Sequence, residues 1–317
     1  MKYRHTPVLV NEVMGHIPFR KNITILDCNL GEGGHSLRIA SEIQSQGGGM
    51  LIGIERDKQI FLRAKRNLKD FSHIVTLVNN NFTNLSEVLQ GISVEAVDVI
   101  LFDLGISSYH YFDDGRGFSF MTDQPLDMRL DDTCPISANE ILNTFEEQKI
   151  AEILSVYGEE RFARNIARNV VKNRNIKPFE TTFELVETVK SSVPRKFWPK
   201  NISPATKTFQ ALRIYVNSEL ENLKNVLPVA VEKLKKGGRL IVISFHSLED
   251  RIVKQFMNEM SKECICPPQV PVCVCNHHAV LKVITRRAIV PTDEECETNK
   301  ASRSAKMRVA EKLVSLM

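Results

Sequence analysis

An acidic, glycine-rich turn follows an apolar run near the start of the sequence, and its residue types suit ligand binding. The run Ile23–Leu26 is rich in β-branched residues and leads into Asp27 and the glycines of 31–34, before a helical pattern begins near His35. A buried strand that ends in glycines and feeds a helix lets backbone N–H groups approach a ligand closely. Glu55 ends the next apolar run, about twenty residues further on, where a carboxylate commonly accepts hydrogen bonds from ribose hydroxyl groups. The spacing predicts a site for an adenosine-type ligand, and an ordinary strand–turn–helix corner is the alternative.

The charge of this turn indicates which adenosine-type ligand it would bind. Asp27 and Glu32 lie in the turn, and Asp103 is predicted to lie near it at the end of another strand. Carboxylates at short range disfavour the phosphates of a dinucleotide or a triphosphate. S-Adenosylmethionine has no phosphate, and its sulfonium and ammonium groups are attracted to carboxylates. The residues therefore favour S-adenosylmethionine over NAD or ATP, provided that the carboxylates face the ligand.

Alternating strand and helix patterns place these carboxylates at one edge of a sheet. The predicted strands are 23–26, 50–54, 74–78 and 96–104. The fourth is nearly all apolar, as expected at the centre of a parallel sheet. Asp27, Glu55 and Asp103 each fall at a predicted carboxyl end, which is where doubly wound sheets bind their ligands. The pattern predicts a Rossmann-like, doubly wound α/β domain.

A helical segment interrupts this alternation. Residues 105–132 have no clear period, but their aromatic side chains favour an ordered, functional loop over disorder. Helices are expected from about Ile136 to Val193, with a capping box at Ser137 and Glu140. We therefore predict a first core part at 1–132, an inserted helical substrate-recognition domain at 133–203, and a second core part at 204–317.

One helix of the insertion carries a row of basic residues. Arg161, Arg164, Arg168 and Lys172 recur at spacings of three and four, which places them along one stripe of a helix. Such a stripe suits contacts with the phosphates of a nucleic acid, and a solvated helix face is the alternative.

Strand and helix signals resume after the insertion. A single long helix is expected from about Pro204 to Lys236, ended by Gly237 and Gly238. A strand at 239–245 follows, and a helix opens directly after His246. Two further strands are expected near 280–285 and 306–311.

Composition agrees with a nucleic-acid partner without requiring one. The 317 residues are 43% hydrophobic and 25% charged, with a formal net charge of +4 and a pI near 8.6. No apolar run reaches the length of a membrane-spanning helix, and the first residues do not resemble a signal peptide. The seven cysteines are expected to be reduced thiols. We therefore expect a cytoplasmic protein with no membrane partner, and monomer and homodimer both stay open.

Several sequence blocks, spread over nearly the whole chain, together resemble a known protein family. They are DCNLGEGGHS, FDLGISS, RGFSF, PLDMRLD, YGEERFARNIARNVV, TFQALRIYVNSEL, GGRLIVISFHSLEDRIVK and SRSAKMRVAEKL. In these blocks the chain resembles the RsmH family of bacterial methyltransferases, also called MraW. The resemblance implies a class I S-adenosylmethionine-dependent methyltransferase fold with a helical insertion after the fourth strand. It also implies methyl transfer to N4 of a cytidine in the decoding centre of 16S rRNA, with the free rRNA or the small ribosomal subunit as substrate.

The same resemblance assigns cofactor-binding residues. They are Gly33, Gly34, His35, Glu55, Phe82, Asp103 and His110. The family usually has Asp at position 55 and often Gln at position 110. Glu55 keeps the carboxylate with one more methylene, so ribose binding should survive, and His110 can still form a hydrogen bond.

Asp103 and His246 are the predicted catalytic residues. Cytosine N4 is a poor nucleophile, and an acceptor for its N–H groups would stabilise the positive charge that develops there. Asp103 is the predicted acceptor, and cofactor binding alone is its alternative role. His246 is a candidate proton acceptor because imidazole titrates near neutral pH, with helix capping as the alternative.

Two further alternatives stay open at this point. Cys264, Cys266, Cys273 and Cys275 form two Cys-x-Cys pairs that suit zinc or a hairpin of reduced thiols, and no metal ligand is counted among the predicted site residues. The alternative functions are methylation of amino groups of another nucleic acid, and binding of S-adenosylmethionine or RNA without catalysis. Cofactor binding that is retained without methyl transfer would indicate the non-catalytic class.

Overall fold

The computed structural model describes residues 7–314 except 113, 132, 201, 267, 268, 270, 271, 273 and 276. The chain forms two compact units. Residues 107–219 form one, here called the helical unit, and the flanking segments up to 106 and from 220 form the other, here called the sheet unit. The predicted inserted domain, 133–203, falls within the helical unit, which begins earlier and ends later.

A mixed sheet organises the sheet unit. Its strands are β1 Ile23–Asp27, β2 Gly49–Glu55, β3 Val75–Asn79, β4 Val97–Asp103, β5 Leu234–Ser244, β6 Leu281–Val283 and β7 Lys306–Lys312. Within the described residues their order is β3-β2-β1-β4-β5-β7-β6, with β1 to β5 parallel and β7 antiparallel to both β5 and β6. The order reverses between β1 and β4, and this is the switch point at which doubly wound sheets bind ligands. The predicted doubly wound α/β fold is confirmed.

Alternate residues of the central strands supply two cores, one on each face of the sheet. Leu26, Ile52 and Phe102 face one core, which the helices α4, Leu85–Gly91, α11, Glu219–Lys233, and α12, Ser247–Met260, cover. Ile25, Leu51 and Leu101, one position earlier in each strand, face the other core. The helices α1, Val10–His16, and α2, Gly34–Ser45, cover that face. Burial on both faces explains why these strands read as continuous apolar runs.

The remaining helices divide between the two units. In the sheet unit they are α3 Lys58–Asn67 and α13 Asp293–Thr298, and in the helical unit α5 Ser108–Phe112, α6 Ala138–Thr144, α7 Glu147–Gly158, α8 Ala163–Arg174, α9 Thr182–Ser192 and α10 Thr206–Val216. Helix α7 packs against α8 and α10, and α8 packs against α9. The predicted capping box of α6 is confirmed, because Glu140 N–H donates to Ser137 Oγ and Ser137 N–H donates to Glu140 Oε2. Among the described residues, no helix has the length and apolar character needed to cross a membrane.

The single long helix predicted from Pro204 to Lys236 is wrong. The structure has two helices there, α10 and α11, because Ser218 adopts a left-handed φ of 51° that breaks the helical path. The predicted end at Gly237 and Gly238 is also wrong, since both glycines lie within β5. A Cβ at Gly238 would meet the Asp98 carbonyl oxygen at 2.9 Å, so glycine is required where β5 passes β4 through an irregular register.

Candidate active site

Three carboxylates meet at the carboxyl ends of β1, β2 and β4. Asp27 pairs in register with Gly53 of β2 and with Leu101 of β4. Glu55 and Asp103 each lie two residues beyond those partners, so they extend past the end of β1 on either side of it. The sequence prediction that the three carboxylates converge at this edge agrees with the register.

Glu55 holds the glycine turn against the end of β2. Its Oε2 accepts a hydrogen bond from Gly31 N–H at 2.9 Å, and its Oε1 accepts one from Asp57 N–H at 2.8 Å. Burial raises the pKa of Glu55 to about 7, although both backbone N–H groups act in the opposite direction. Each carboxylate oxygen retains a second lone pair, so Glu55 can shape the turn and still accept from a ligand hydroxyl.

The glycines at the end of the turn are required by its geometry. Gly33 has a φ of +89°, which L-residues rarely adopt, and a Cβ there would meet Leu68 at 3.2 Å. Gly34 begins α2, and Gly33 caps that helix without a side chain. The first N–H groups of a helix have no partner within it, so this helix start suits a ligand that offers acceptors.

Asp27 is buried at the centre of the cluster. Its Oδ2 accepts a hydrogen bond from Ser36 Oγ at 2.7 Å, and its Oδ1 accepts one from Asn29 N–H at 3.3 Å. Burial raises the pKa of Asp27 to about 6, with the Asp103 charge adding to this effect and Ser36 and His35 opposing it. Sequence reasoning missed Ser36, and its position on the first turn of α2 was the signal that would have found it.

Asp103 and His35 lie side by side at the start of α2. His35 Nε2 lies 2.9 Å from the Val8 carbonyl oxygen, which can only accept, so this nitrogen carries a proton. His35 Nδ1 lies 3.4 Å from Asp103 Oδ2. Burial acts to lower the pKa of His35, but the charge and hydrogen bond of Asp103 outweigh it and raise that pKa. The other oxygen of Asp103, Oδ1, is buried and has no hydrogen-bond partner among the residues that the structure describes.

Phe82 and His110, the remaining predicted cofactor-binding residues, lie in different units. Phe82 is half-buried in a 3-10 turn after β3, with its ring edge-on to Phe102 at a centroid distance of 5.8 Å. His110 is buried in the helical unit, where its ring packs edge-on against Tyr109 and Phe118. Their predicted cofactor contacts stay predictions.

His246 caps α12. Its Nδ1 accepts the Glu249 N–H at 3.4 Å, and Glu249 Oε2 accepts the Phe245 N–H at 2.8 Å. This leaves the proton on Nε2, which lies 3.2 Å from Glu249 Oε1 but outside hydrogen-bond geometry. The basic lone pair of the ring therefore faces the helix backbone, as the capping alternative expected. A role for His246 as proton acceptor stays a prediction.

Glu32 faces away from this cluster. Its carboxylate pairs with Arg63 of α3 at 3.1 Å, and its backbone carbonyl accepts from Asn67. The charge argument for the ligand therefore rests on Asp27 and Asp103, without Glu32. Both of these side chains are acceptors in their ionised form, and they lie next to the start of α2.

The residues at this edge fit S-adenosylmethionine. The unpartnered Asp103 Oδ1 suits an N–H donor, and Glu55 lies at the strand end where a ribose would be held. The cofactor carries both kinds of donor, an ammonium group and ribose hydroxyls, and it brings no phosphate toward Asp27. The fit rests on the remaining acceptor capacity of Glu55 and on Asp103 Oδ1, which can accept either from the cofactor or from the amine that is methylated.

Comparison with known proteins agrees with this geometry. The model of the MraW methylase family matches residues 2–313. The ribosomal RNA small subunit methyltransferase H of Brevibacillus brevis is 45% identical over 313 residues, which cover 99% of each chain. The proteins of the same name from Clostridium botulinum (strain Kyoto) and Finegoldia magna are 44% and 42% identical, each over 99% of this chain and 100% of the relative. This chain therefore belongs to the MraW methylase family.

Proposed function

We propose that this protein transfers a methyl group from S-adenosylmethionine to N4 of a cytidine in the decoding centre of 16S rRNA. Membership of the MraW methylase family and the names of the relatives support the reaction. The observation that carries it in the structure is the buried Asp103 Oδ1, an acceptor without a partner at the switch point of the sheet.

The sheet unit would hold the cofactor. Glu55, placed at the end of β2, accepts from the ribose, and the start of α2 at Gly34 and His35 borders the same site. When bound, S-adenosylmethionine supplies an electrophilic methyl group on its sulfonium. The main task of the protein is then positioning, which contributes up to roughly 7–11 kcal/mol in favourable cases.

Asp103 would orient the attacking amine. Its Oδ2 is held by His35, so its Oδ1 is fixed in direction and can accept an N–H of cytosine N4. This hydrogen bond draws the nitrogen lone pair out of conjugation and stabilises the positive charge that develops on N4. His35 holds Asp103 in place, because the Val8 carbonyl fixes the orientation of the imidazole ring.

The helical unit would bind the RNA through basic and aromatic side chains. Arg164, Arg168 and Lys172 of α8 are exposed, and so is Arg161, which lies just before this helix, whereas Ile166 and Val170 of α8 are buried. The guanidinium of Arg161 lies 4.8 Å from the centroid of the Phe197 ring, which is itself exposed. Exposed basic residues beside an exposed ring suit phosphates and unstacked bases. We call the four basic residues the basic stripe.

The proposed location follows from the substrate. Because ribosomal RNA is cytoplasmic in bacteria, we propose that the protein works there, on free 16S rRNA or on the small subunit. Its acting form is proposed to be a monomer or a homodimer.

A labelling experiment tests the function. Small subunits and free 16S rRNA that lack the modification are incubated with the protein and S-adenosylmethionine labelled in its methyl group, and the modified nucleotide is mapped. We expect one N4-methylated cytidine in the decoding centre, and no label when uridine replaces that cytidine, because uridine has no N4 amine. Label at another nucleotide or on a protein would refute the proposal.

Asp103→Asn separates the two roles of Asp103. The amide keeps the shape of the carboxylate but loses its charge, so we expect methyl transfer to fall at least about a hundredfold. Cofactor affinity, measured by calorimetry, should fall far less if Oδ1 serves the amine. A parallel loss of affinity and turnover would assign Asp103 to the cofactor alone, and near-normal turnover in a folded variant would remove it from the site.

A further inference from the structure

The connection between α12 and β6 brings three cysteine sulfurs together. Val280 N–H donates to the Met260 carbonyl at 2.8 Å and closes the base of this connection. The Sγ atoms of Cys264, Cys266 and Cys275 lie within 4.8 Å of one another. The two Cys-x-Cys pairs noted in the sequence therefore converge as far as the structure describes them, and Cys273 lies outside the described residues.

The distance between two of the sulfurs matches that of two ligands in a tetrahedral thiolate site. Cys264 Sγ and Cys275 Sγ are 3.7 Å apart, much longer than a disulfide bond of about 2.05 Å. A zinc ion binds thiolates at about 2.3 Å, so two ligands at the tetrahedral angle are separated by about 3.8 Å. The observed distance is the edge of such a tetrahedron.

Backbone N–H groups point at each of the three sulfurs. Ile265 N–H donates to Cys275 Sγ at 3.5 Å, and Cys266 N–H donates to Cys264 Sγ at 3.4 Å. Val274 N–H donates to Cys266 Sγ at 3.4 Å. Backbone donors to the sulfurs of a thiolate site fix the direction of each ligand.

We propose that Cys264, Cys266 and Cys275 bind a zinc ion that fastens the connection between α12 and β6. Thiolates are soft ligands, and clustered thiolates without carboxylates select zinc over magnesium or calcium. The rival interpretation is a hairpin of reduced thiols, which gives no reason for three backbone donors to converge on three sulfurs. The site comprises these three cysteines and lies apart in sequence from every residue assigned to methyl transfer.

Metal content of the full-length protein tests the proposal. The protein is produced in zinc-supplemented medium, purified without chelator under reducing conditions, and analysed by plasma mass spectrometry. We expect about one zinc ion per chain in the wild type and at least a tenfold lower content in Cys264→Ser/Cys275→Ser. Cys296→Ser is the matched control, because Cys296 is a half-buried cysteine of α13 outside the cluster, and its zinc content should equal that of the wild type.

Cobalt substitution provides a second measurement that does not require the double variant to fold. Metal-free wild type titrated with cobalt(II) should develop thiolate-to-cobalt charge-transfer and tetrahedral d–d absorption, which zinc then abolishes. The site would be refuted if the purified wild type contains no zinc and its titration with cobalt(II) gives none of these absorption bands. A disulfide between cluster cysteines in the purified protein, detected by mass spectrometry, would refute it as well.

Discussion

The acidic side chains near the glycine turn differ because their surroundings differ. Glu32 is neutralised by Arg63, whereas burial raises the pKa of Glu55 to about 7 and that of Asp27 to about 6. Strand patterns were sufficient to predict that Asp27 and Glu55 end at the same edge of the sheet. They were insufficient to predict the Val8 carbonyl that holds His35, since that hydrogen bond joins residues whose proximity depends on the completed fold.

Glu55→Gln should weaken cofactor binding by at least tenfold, about 1.4 kcal/mol. The amide nitrogen cannot accept, so one of the Gly31 and Asp57 N–H groups and one ribose hydroxyl lose an acceptor. Glu32→Gln is the control, because it makes the same chemical change in the same turn on a carboxylate that faces Arg63. Calorimetry with S-adenosylmethionine measures both, and equal affinities for the two variants would remove Glu55 from the site.

Asp27→Asn should alter how stability depends on pH. The pKa of Asp27 rises from 3.8 to about 6 on folding, so its contribution to stability is full below pH 3.8 and is lost as the pH rises through 6. Asparagine does not titrate, so the variant loses no stability in this way. Its amide can still accept the Asn29 N–H and form a hydrogen bond with Ser36 Oγ. The unfolding free energy of the variant relative to wild type should therefore increase by roughly 1 kcal/mol between pH 5 and pH 8.

Urea unfolding of the cofactor-free protein, followed by circular dichroism, measures this difference. The control is Asp70→Asn at an exposed position, for which the difference from wild type should not change with pH. A difference that stays constant or decreases for Asp27→Asn would show that the buried carboxyl does not titrate in this range.

At the level of helices and strands, periodicity predicted where elements occur better than where they break. Local residue types predicted strand β5, the start of α12 after His246 and the capping box of α6. The break between α10 and α11 did not, because it depends on Asn217. That side chain accepts from Leu130 N–H and donates to the Met128 carbonyl, contacts with a segment more than eighty residues away.

The basic stripe of α8 should control RNA affinity without affecting the cofactor. In Arg164→Gln/Arg168→Gln/Lys172→Gln we expect weaker RNA binding and a slope of log affinity against log salt that is smaller by about 2, since up to three phosphate contacts are lost. The methylated nucleotide should be unchanged, because phosphate contacts carry no base preference. Filter binding at several salt concentrations measures the slope.

A second triple variant controls for net charge. Lys149→Gln/Lys177→Gln/Lys190→Gln removes the same charge from surface lysines of the helical unit that each pair with a glutamate. We expect its RNA affinity to stay close to that of the wild type. Equal losses in the two triples would mean that only overall charge matters and that the basic stripe is a solvated face.

At the scale of the whole molecule, the sheet depends on one antiparallel strand. Strand β7 pairs with β5 from Arg239 to Ser244 and also with β6, so it joins β6 to the rest of the sheet. Its residues Met307 and Val309 are fully buried in one core and Ala310 in the other. The resemblance to a known family anticipated this architecture, whereas strand patterns alone predicted the strands without their order.

Removal of β7 should therefore prevent folding of the sheet unit. A chain ended after Ser304 leaves β5 and β6 without their shared partner, and we expect it to be insoluble or to bind no S-adenosylmethionine. A chain ended after Val314 keeps β7 complete and should bind the cofactor as the full chain does. Cofactor binding by the shorter chain would show that β7 is dispensable.

The position of β7 near the end of the chain also determines when the sheet can be completed during translation. Residues of β4 leave the ribosome about 200 residues before those of β7, yet β6 joins their sheet only through β7. The helical unit is one continuous segment and emerges from the ribosome before β5 does. A nascent chain thus carries a complete helical unit, and its sheet unit keeps an open edge at β5 until β7 emerges. A chaperone that binds exposed strand edges should bind this protein most strongly in that interval.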